Sequence, residues 1–201
     1  ALGGRLKLSV ACCSVIQAGT VYGSDTIVNS ANSNMKHFGG IAKFINDSAG
    51  PELNAATALQ APISVGSSSV TPAFGLQTFG FQHIVHAVPP KWENVESRSM
   101  LNQCVKSALQ AACSVGAVNI AIPGIGMGVY GWTFDNASME IVNAILEWVR
   151  DLGSDECSIK KVLLFDLNSD VIKAFESVIL DLDVANVDSP SRAEPAPPTK
   201  G

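Results

Sequence analysis

The sequence predicts an α/β fold on three observations. Six short runs are rich in β-branched and apolar residues, four longer segments carry apolar residues at helical spacing, and the two kinds interleave along the chain. In order, Leu6–Ala11 and Asp25–Asn29 are strand candidates, and Gly40–Ala49 is a helix candidate. Ile63–Thr71 and Phe81–Val88 are the next strand runs. A helix is predicted over Ser97–Val115, where Leu101, Val105, Leu109 and Ala112 recur every three or four positions. The strand run Val118–Pro123, the helix Asn136–Leu152, the strand Lys161–Phe165 and the helix Asp170–Leu182 complete the series. Helix starts are signalled by side-chain acceptors at Ser97, at Thr133 to Asn136, and at Asn168 or Ser169.

Composition sets the boundaries of function. The 201 residues are 47% hydrophobic and 15% charged, enough chain for one domain with a substantial core. A formal net charge of −5 argues against duplex nucleic acid as a partner, because phosphate neutralisation needs clustered Lys and Arg. Any anion must be held locally. No apolar stretch reaches the roughly 18 to 20 residues of a membrane span, and no charged-then-apolar leader opens the sequence. No membrane association is expected, and the expected location is intracellular, cytoplasmic or nuclear. The five cysteines, Cys12, Cys13, Cys104, Cys113 and Cys157, lack C-x-x-C spacing and are expected as free thiols. We expect the domain to cover residues 1–185 and a Pro-rich disordered tail or linker to cover 186–201. Because Ala1 opens the numbering, we also expect the domain to be part of a larger multidomain chain.

Two glycine-bearing loops carry the chemistry. Thr26-Ile27-Val28-Asn29-Ser30-Ala31-Asn32 leads into His37-Phe38-Gly39-Gly40, and Asn119-Ile120-Ala121-Ile122-Pro123 leads into Gly124-Ile125-Gly126-Met127-Gly128-Val129-Tyr130-Gly131. Glycine lets a ligand press against bare backbone, and successive N–H groups with a following helix N-terminus supply fixed positive dipole. Two such loops suit a diphosphate gripped from two sides. Gly126, Gly128 and Gly131 also form a literal G-x-G-x-x-G, but Trp132 to Asp135 intervene before the next helix and Asp166 is too distant for the acidic partner of a dinucleotide motif. No nicotinamide or flavin cofactor is expected. His83 and His86 fall on opposite faces of a strand, and H-E-x-x-H and G-x-x-x-x-G-K-[ST] are missing, so neither a metal site nor an ATPase is expected.

Taken together, Val28 to Asn32, His37-Phe38-Gly39-Gly40-Ile41-Ala42, Ile84-Val85-His86-Ala87-Val88, and Ala121-Ile122-Pro123 with Gly128-Val129-Tyr130-Gly131 resemble a macro domain. The resemblance runs in family order from about Leu6 to Leu182. It is strongest to macro domains attached to poly(ADP-ribose) polymerases, with viral macro domains next. It implies a three-layer α/β/α fold with a mixed central sheet of about six strands and a cleft for ADP-ribose at the strand ends.

The resemblance also implies roles. Asn32 matches the asparagine that orients the proximal ribose, and Gly39 and Gly40 match the backbone beside that ribose and the diphosphate, flanked by Ala31, Phe38 and Ile41. For His37, a solvated loop histidine and a ribose or diphosphate contact both stay open. Gly126, Met127, Gly128, Val129 and Tyr130 match the second phosphate loop. Phe165 matches an aromatic that packs on adenine, and Asn168 lies near the distal ribose. Ser14, beside Val15, stands where the family has an aspartate for the adenine amino group. The expected ligands are ADP-ribose and mono-ADP-ribosylated proteins. Hydrolysis of the protein–ADP-ribose bond, with Asn32, Gly39 and Gly40 as its catalytic set, is one implied activity; a non-catalytic reader or a degenerate interaction module is the alternative.

Overall fold

A computed structural model describes residues 6–37, 39–152 and 157–187, with the side chains of 183–187 left aside. Six strands form one sheet: β1 (Lys7–Cys12), β2 (Thr26–Ser30), β3 (Ser68–Pro72), β4 (His83–Ala87), β5 (Asn119–Pro123) and β6 (Lys161–Asp166). Their order across the sheet is β1-β6-β5-β2-β4-β3. All neighbours run parallel except β3, which pairs antiparallel with β4 at the edge. The mixed six-stranded sheet is the one expected.

Helices cover both faces because the central strands are apolar on both faces. The helices α4 (Glu96–Ser114), α5 (Phe134–Asp151) and α6 (Ser169–Val187) bury Leu101, Val105, Ile141, Ile145 and Phe175 against Val28, Ile120, Ile122, Val162 and Leu164. On the other face α1 (Val15–Thr20), α2 (Gly40–Ala49), α3 (Pro51–Gln60) and the 3₁₀ turn Phe74–Phe79 bury Ala18, Ile45, Leu53 and Leu76 against Ile27, Ile84, Ala121, Leu163 and Phe165. Adjacent strand residues thus feed opposite layers, the period-two alternation that makes a three-layer α/β/α sandwich.

Three elements differ from the sequence reading. Helices α1 and α3 and the 3₁₀ turn fall where no helix was predicted. Ser97 is not an N-cap: α4 starts from Val95, and the Ser97 hydroxyl instead accepts from the backbone N–H groups of Glu93 and Asn94 at 3.2 and 3.4 Å. Thr133 does cap α5, accepting from the Asn136 N–H. Helix α6 runs to Val187, past the expected end at Leu182; residues 188–201, which hold most of the predicted tail, lie outside the described residues. All five cysteines are free thiols. Among the described residues no helix is long and apolar enough to cross a membrane.

Candidate functional site

The site lies where β2 and β5 part. They are neighbours, yet only Thr26–Ile27 pair with Ile120–Ala121, while the strands continue to Ser30 and Pro123. From their carboxyl ends, β2 feeds α2 on one face and β5 feeds α5 on the other. A crevice at such a switch point is the usual ligand position in an open parallel sheet.

A cleft of about 450 Å³ occupies this end of the sheet. Ser14 and Val15 from the start of α1 and Gly40 and Ile41 from the start of α2 line one side. Met127 and Gly128 from the loop after β5, and Phe165 and Asn168 from β6 and its end, line the rest. The sequence reading missed Cys13, Phe44, Gly124, Phe134, Asp166, Leu167 and Val171, which also line it. Phe134 and Leu167 had a usable signal, since each sits beside a helix start or strand end already predicted. None of the lining residues is Lys, Arg or His. An anion here meets backbone dipoles rather than cationic side chains.

Helix α2 aims its N-terminus at the cleft. Its N-cap is Gly39, extended at φ −165° and ψ 172°, which offers no side-chain acceptor. The first N–H groups of an α-helix lack intrahelical partners, so this turn presents donors and the positive end of the helix dipole. Helices α5 and α6 also begin at the cleft, but their first turns are met by Thr133 and by Asn168, whose side-chain oxygen accepts from the Asp170 N–H at 2.9 Å.

The loop glycines divide by physical role. Gly126 has φ +81°, and a Cβ there would stand 2.9 Å from the Trp132 ring, so this glycine is demanded by the fold. Gly128 has neither constraint: a Cβ would meet no atom within 4 Å. The bare backbone at Gly128 is therefore unexplained by packing and leaves room in the cleft. Gly39 is likewise open, and Val129 points outward at 94% exposure.

A second cavity, of about 810 Å³, is lined by Asn32 and Ser33 after β2, by Pro89 and Pro90 after β4, and by Tyr130 from the loop after β5. The Tyr130 hydroxyl donates to the Ala31 carbonyl at 2.9 Å, closing the loop after β5 onto the loop after β2. Burial holds the Tyr130 phenol above its ordinary pKa, with the nearby Cys104 thiol adding to the effect. Tyr130 and Asn32 both line this second cavity. The Asn32 side chain is held by its own loop: it accepts from the Lys36 N–H at 3.1 Å and donates to the Lys36 carbonyl.

His37 lines neither cavity. It is buried, 3.4 Å from the Thr57 hydroxyl through Nε2 and 5.9 Å from the His86 ring. Burial, then the neighbouring Lys36 charge, lowers its pKa. Since the Thr57 hydroxyl donates to the Leu53 carbonyl at 2.9 Å, His37 Nε2–H is the donor in their contact. His86 is the fully buried hub beneath the loop. Its Nδ1 accepts from the Asn29 amide at 3.1 Å and its Nε2 bonds Thr71 at 3.0 Å, an arrangement that requires the neutral ring. Burial, then His37, pushes the His86 pKa down to about 3. Asn29 is thus a core residue. In the cleft itself, burial and the neighbouring Cys12 push the Cys13 thiol up to about 11, so it stands there protonated. Phe38 lies outside the described residues. Among the described residues no three His, Cys, Asp or Glu gather as metal ligands.

This arrangement, with two loops on either side of the point where β2 and β5 part, is a cleft at the switch point of an open α/β sheet. The chain belongs to the macro domain family: the Macro domain model matches residues 28–141. It is 30% identical over 162 residues to human protein mono-ADP-ribosyltransferase PARP14, covering 77% of this chain but only 9% of that much longer relative. It is 31% identical over 159 residues to an uncharacterized protein of Pyrobaculum aerophilum, covering 77% of this chain and 83% of the relative. Among solved structures, a variant of the Oceanobacillus iheyensis macrodomain with ADPR superposes at a TM-score of 0.75, with 22% identity, covering 92% of this chain and 97% of that one. At that identity the likeness speaks for the fold.

Proposed function

We propose that this domain binds ADP-ribose in the cleft between the two glycine loops and thereby recognises mono-ADP-ribosylated proteins. The observation that carries the reading is the pairing of an uncapped α2 N-terminus at Gly39–Gly40 with the vacant side of Gly128 across a cleft lined by no cationic side chain. A diphosphate there is held by backbone N–H groups. The base lies toward Ser14, Val15 and Phe165, the distal ribose toward Asn168, and the terminal ribose toward Asn32 and Tyr130. The solved macrodomain with ADPR supports the choice of ligand.

A second reading, hydrolysis of the protein–ADP-ribose bond, draws support from the position of Asn32 with Tyr130 in the wall of the second cavity. Catalysis by positioning alone is sensitive to small displacements. In this chain the Asn32 amide spends one donor and one acceptor on the Lys36 backbone, which leaves one of each for a ribose. Calorimetry tests the primary reading: ADP-ribose binds one to one and AMP far more weakly. Equal affinities, or no heat from ADP-ribose at high micromolar concentration, reject it. Incubation with a mono-ADP-ribosylated acidic protein over hours separates the two readings, release of ADP-ribose marking the hydrolase.

A further inference from the structure

The second cavity meets free ADP-ribose only through the terminal ribose at Asn32 and Tyr130, and most of its lining has no place in binding a ligand whose base and diphosphate fit the first cleft. We propose that it is a docking groove for the polypeptide that carries the modification, a reading that rests on the first cleft being the ADP-ribose site. The attached protein joins ADP-ribose at its terminal ribose, and Asn32 and Tyr130, where that ribose is placed, open onto this cavity. A chain leaving the ribose in that direction enters a space of about 810 Å³, larger than a single side chain needs.

The groove is built rather than incidental. The segment from Val88 to Ser97 forms its wall without regular structure up to Glu96, yet its backbone is tied down at several points of the bend. Trp92 N–H donates to the Tyr130 carbonyl at 2.8 Å, the Trp132 indole donates to the Pro90 carbonyl at 2.9 Å, and the Glu96 N–H donates to Asn94 Oδ1 at 2.9 Å. Trp92 packs edge-on against Trp132 with ring centroids 4.9 Å apart. A wall held in this way is ready for a partner without an ordering cost.

The lining says which partner. Val65 and Met100 leave apolar surface exposed in the cavity at 45% and 42%. Lys36, Lys91, Glu93 and Glu96 stand around it, and none of them joins an ion pair among the described residues. Charges of both signs over an apolar floor suit a polypeptide of mixed side chains. A second ADP-ribose unit suits it less well, because Glu93 and Glu96 offset the attraction of Lys36 and Lys91 for a diphosphate, and the α4 start already has Asn94 and Ser97 bonded into its first turn.

The test uses the whole chain and three ligands in calorimetry: free ADP-ribose, a nine-residue peptide bearing one ADP-ribose through a non-cleavable linkage at its centre, and an ADP-ribose dimer. The peptide conjugate is expected to bind about tenfold tighter than free ADP-ribose, the scale of burying one apolar side chain. Met100→Glu should remove that gain and leave free ADP-ribose unchanged, whereas Leu180→Glu on the distant α6 surface should alter neither. Equal affinity of conjugate and free ADP-ribose in the unsubstituted chain overturns the groove while leaving the first cleft intact. So does a Met100-dependent gain shown by the dimer and not by the peptide. Loss of both affinities in Met100→Glu places the effect in the first cleft and likewise overturns the groove. Failure of every ligand to bind rejects the groove together with the ADP-ribose reading beneath it.

Discussion

The Tyr130 hydroxyl donates to the Ala31 carbonyl at 2.9 Å, and this one bond ties the loop after β5 to the loop after β2 in the wall of the second cavity. Ala31 is fixed from its other side as well, its N–H donating to the Ala87 carbonyl at 2.8 Å. Tyr130→Phe removes the donor and leaves the ring. The expected result is a loss of about 1 kcal/mol in urea unfolding, the usual worth of such a bond, together with a several-fold weaker affinity for ADP-ribose. Unchanged affinity in a destabilised variant would show that the bond is architectural only.

The glycines of the second loop should separate cleanly under substitution. Gly126→Ala forces a Cβ against Trp132 and a left-handed backbone on alanine, and should cost about 1 to 3 kcal/mol of stability. Gly128→Val meets no protein atom at its Cβ, so melting temperature should hold while ADP-ribose affinity falls. Differential scanning fluorimetry beside calorimetry reads both. A Gly128→Val chain that binds normally removes that residue from the site.

Much of this was legible in the sequence, for identifiable reasons. Five strands were legible because each is a short apolar or β-branched run, whereas β3, Ser68–Pro72, keeps only the end of the predicted run Ile63–Thr71; α2, α4, α5 and α6 were legible because their buried residues recur at helical spacing. Helix α1 is only six residues, too short for periodicity, but its capping box was present as Ser14 with Gln17 three positions on. Helix α3 had Pro51 at its first position and Glu52 in its first turn, yet it buries only Leu53 and Thr57 and so shows almost no apolar stripe. The site was legible as two glycine loops; the division between Gly126 and Gly128 was not, because it depends on where Trp132 packs. Nor was the burial of His37, which Thr57 on the unpredicted α3 draws inward.

His86 makes stability depend on acid. Its folded pKa, about 3, lies below the ordinary value of 6.5, so the folded state resists a proton that the unfolded chain accepts. The contribution is fully present above pH 6.5 and is lost as pH falls from there toward 3, with a slope of about 1.4 kcal/mol per pH unit for one proton. His37 is shifted in the same direction and adds to the effect. Urea unfolding at pH 7, 6, 5 and 4 should show this decline, and His86→Gln should flatten it by one proton. Equal slopes in the two chains would mean that His86 is already charged in the fold.

Asn32 should matter twice. Its side chain closes the turn to Lys36, and Met35 within that turn holds φ +54° with its N–H on the Asn32 carbonyl at 2.8 Å. Asn32→Ala is expected to lower stability by about 1 kcal/mol, to weaken ADP-ribose binding, and to abolish any release of ADP-ribose from a modified protein. Asn32→Asp keeps the acceptor for the Lys36 N–H but not the donor, so it should recover most of the stability and none of the turnover. Turnover unchanged in Asn32→Ala would reject the residue's assignment to the ribose.

Ser14 is the place to test how the base is read. It caps α1 through a reciprocal box: the Gln17 N–H donates to Ser14 Oγ at 3.3 Å, and the Ser14 N–H donates to Gln17 Oε1 at 3.0 Å. Its hydroxyl also donates to Gln17 Oε1 at 3.2 Å, so the neutral side chain that lines the base end of the cleft is already engaged. Ser14→Asp preserves a good N-cap and places a carboxylate at the positive end of α1, so the fold should be unharmed. A hydrogen bond to a charged group is worth about 1.5 to 3 kcal/mol. After desolvation of the carboxylate, a gain of roughly tenfold for ADP-ribose is expected. The hypoxanthine analogue presents a carbonyl oxygen where adenine has its amino group, and it should gain nothing or bind more weakly. Discrimination between the two ligands is the decisive quantity, because a general change in the domain shifts both alike. Calorimetry showing both ligands equally affected would place the base away from Ser14, toward the Leu167 and Asn168 side of the cleft.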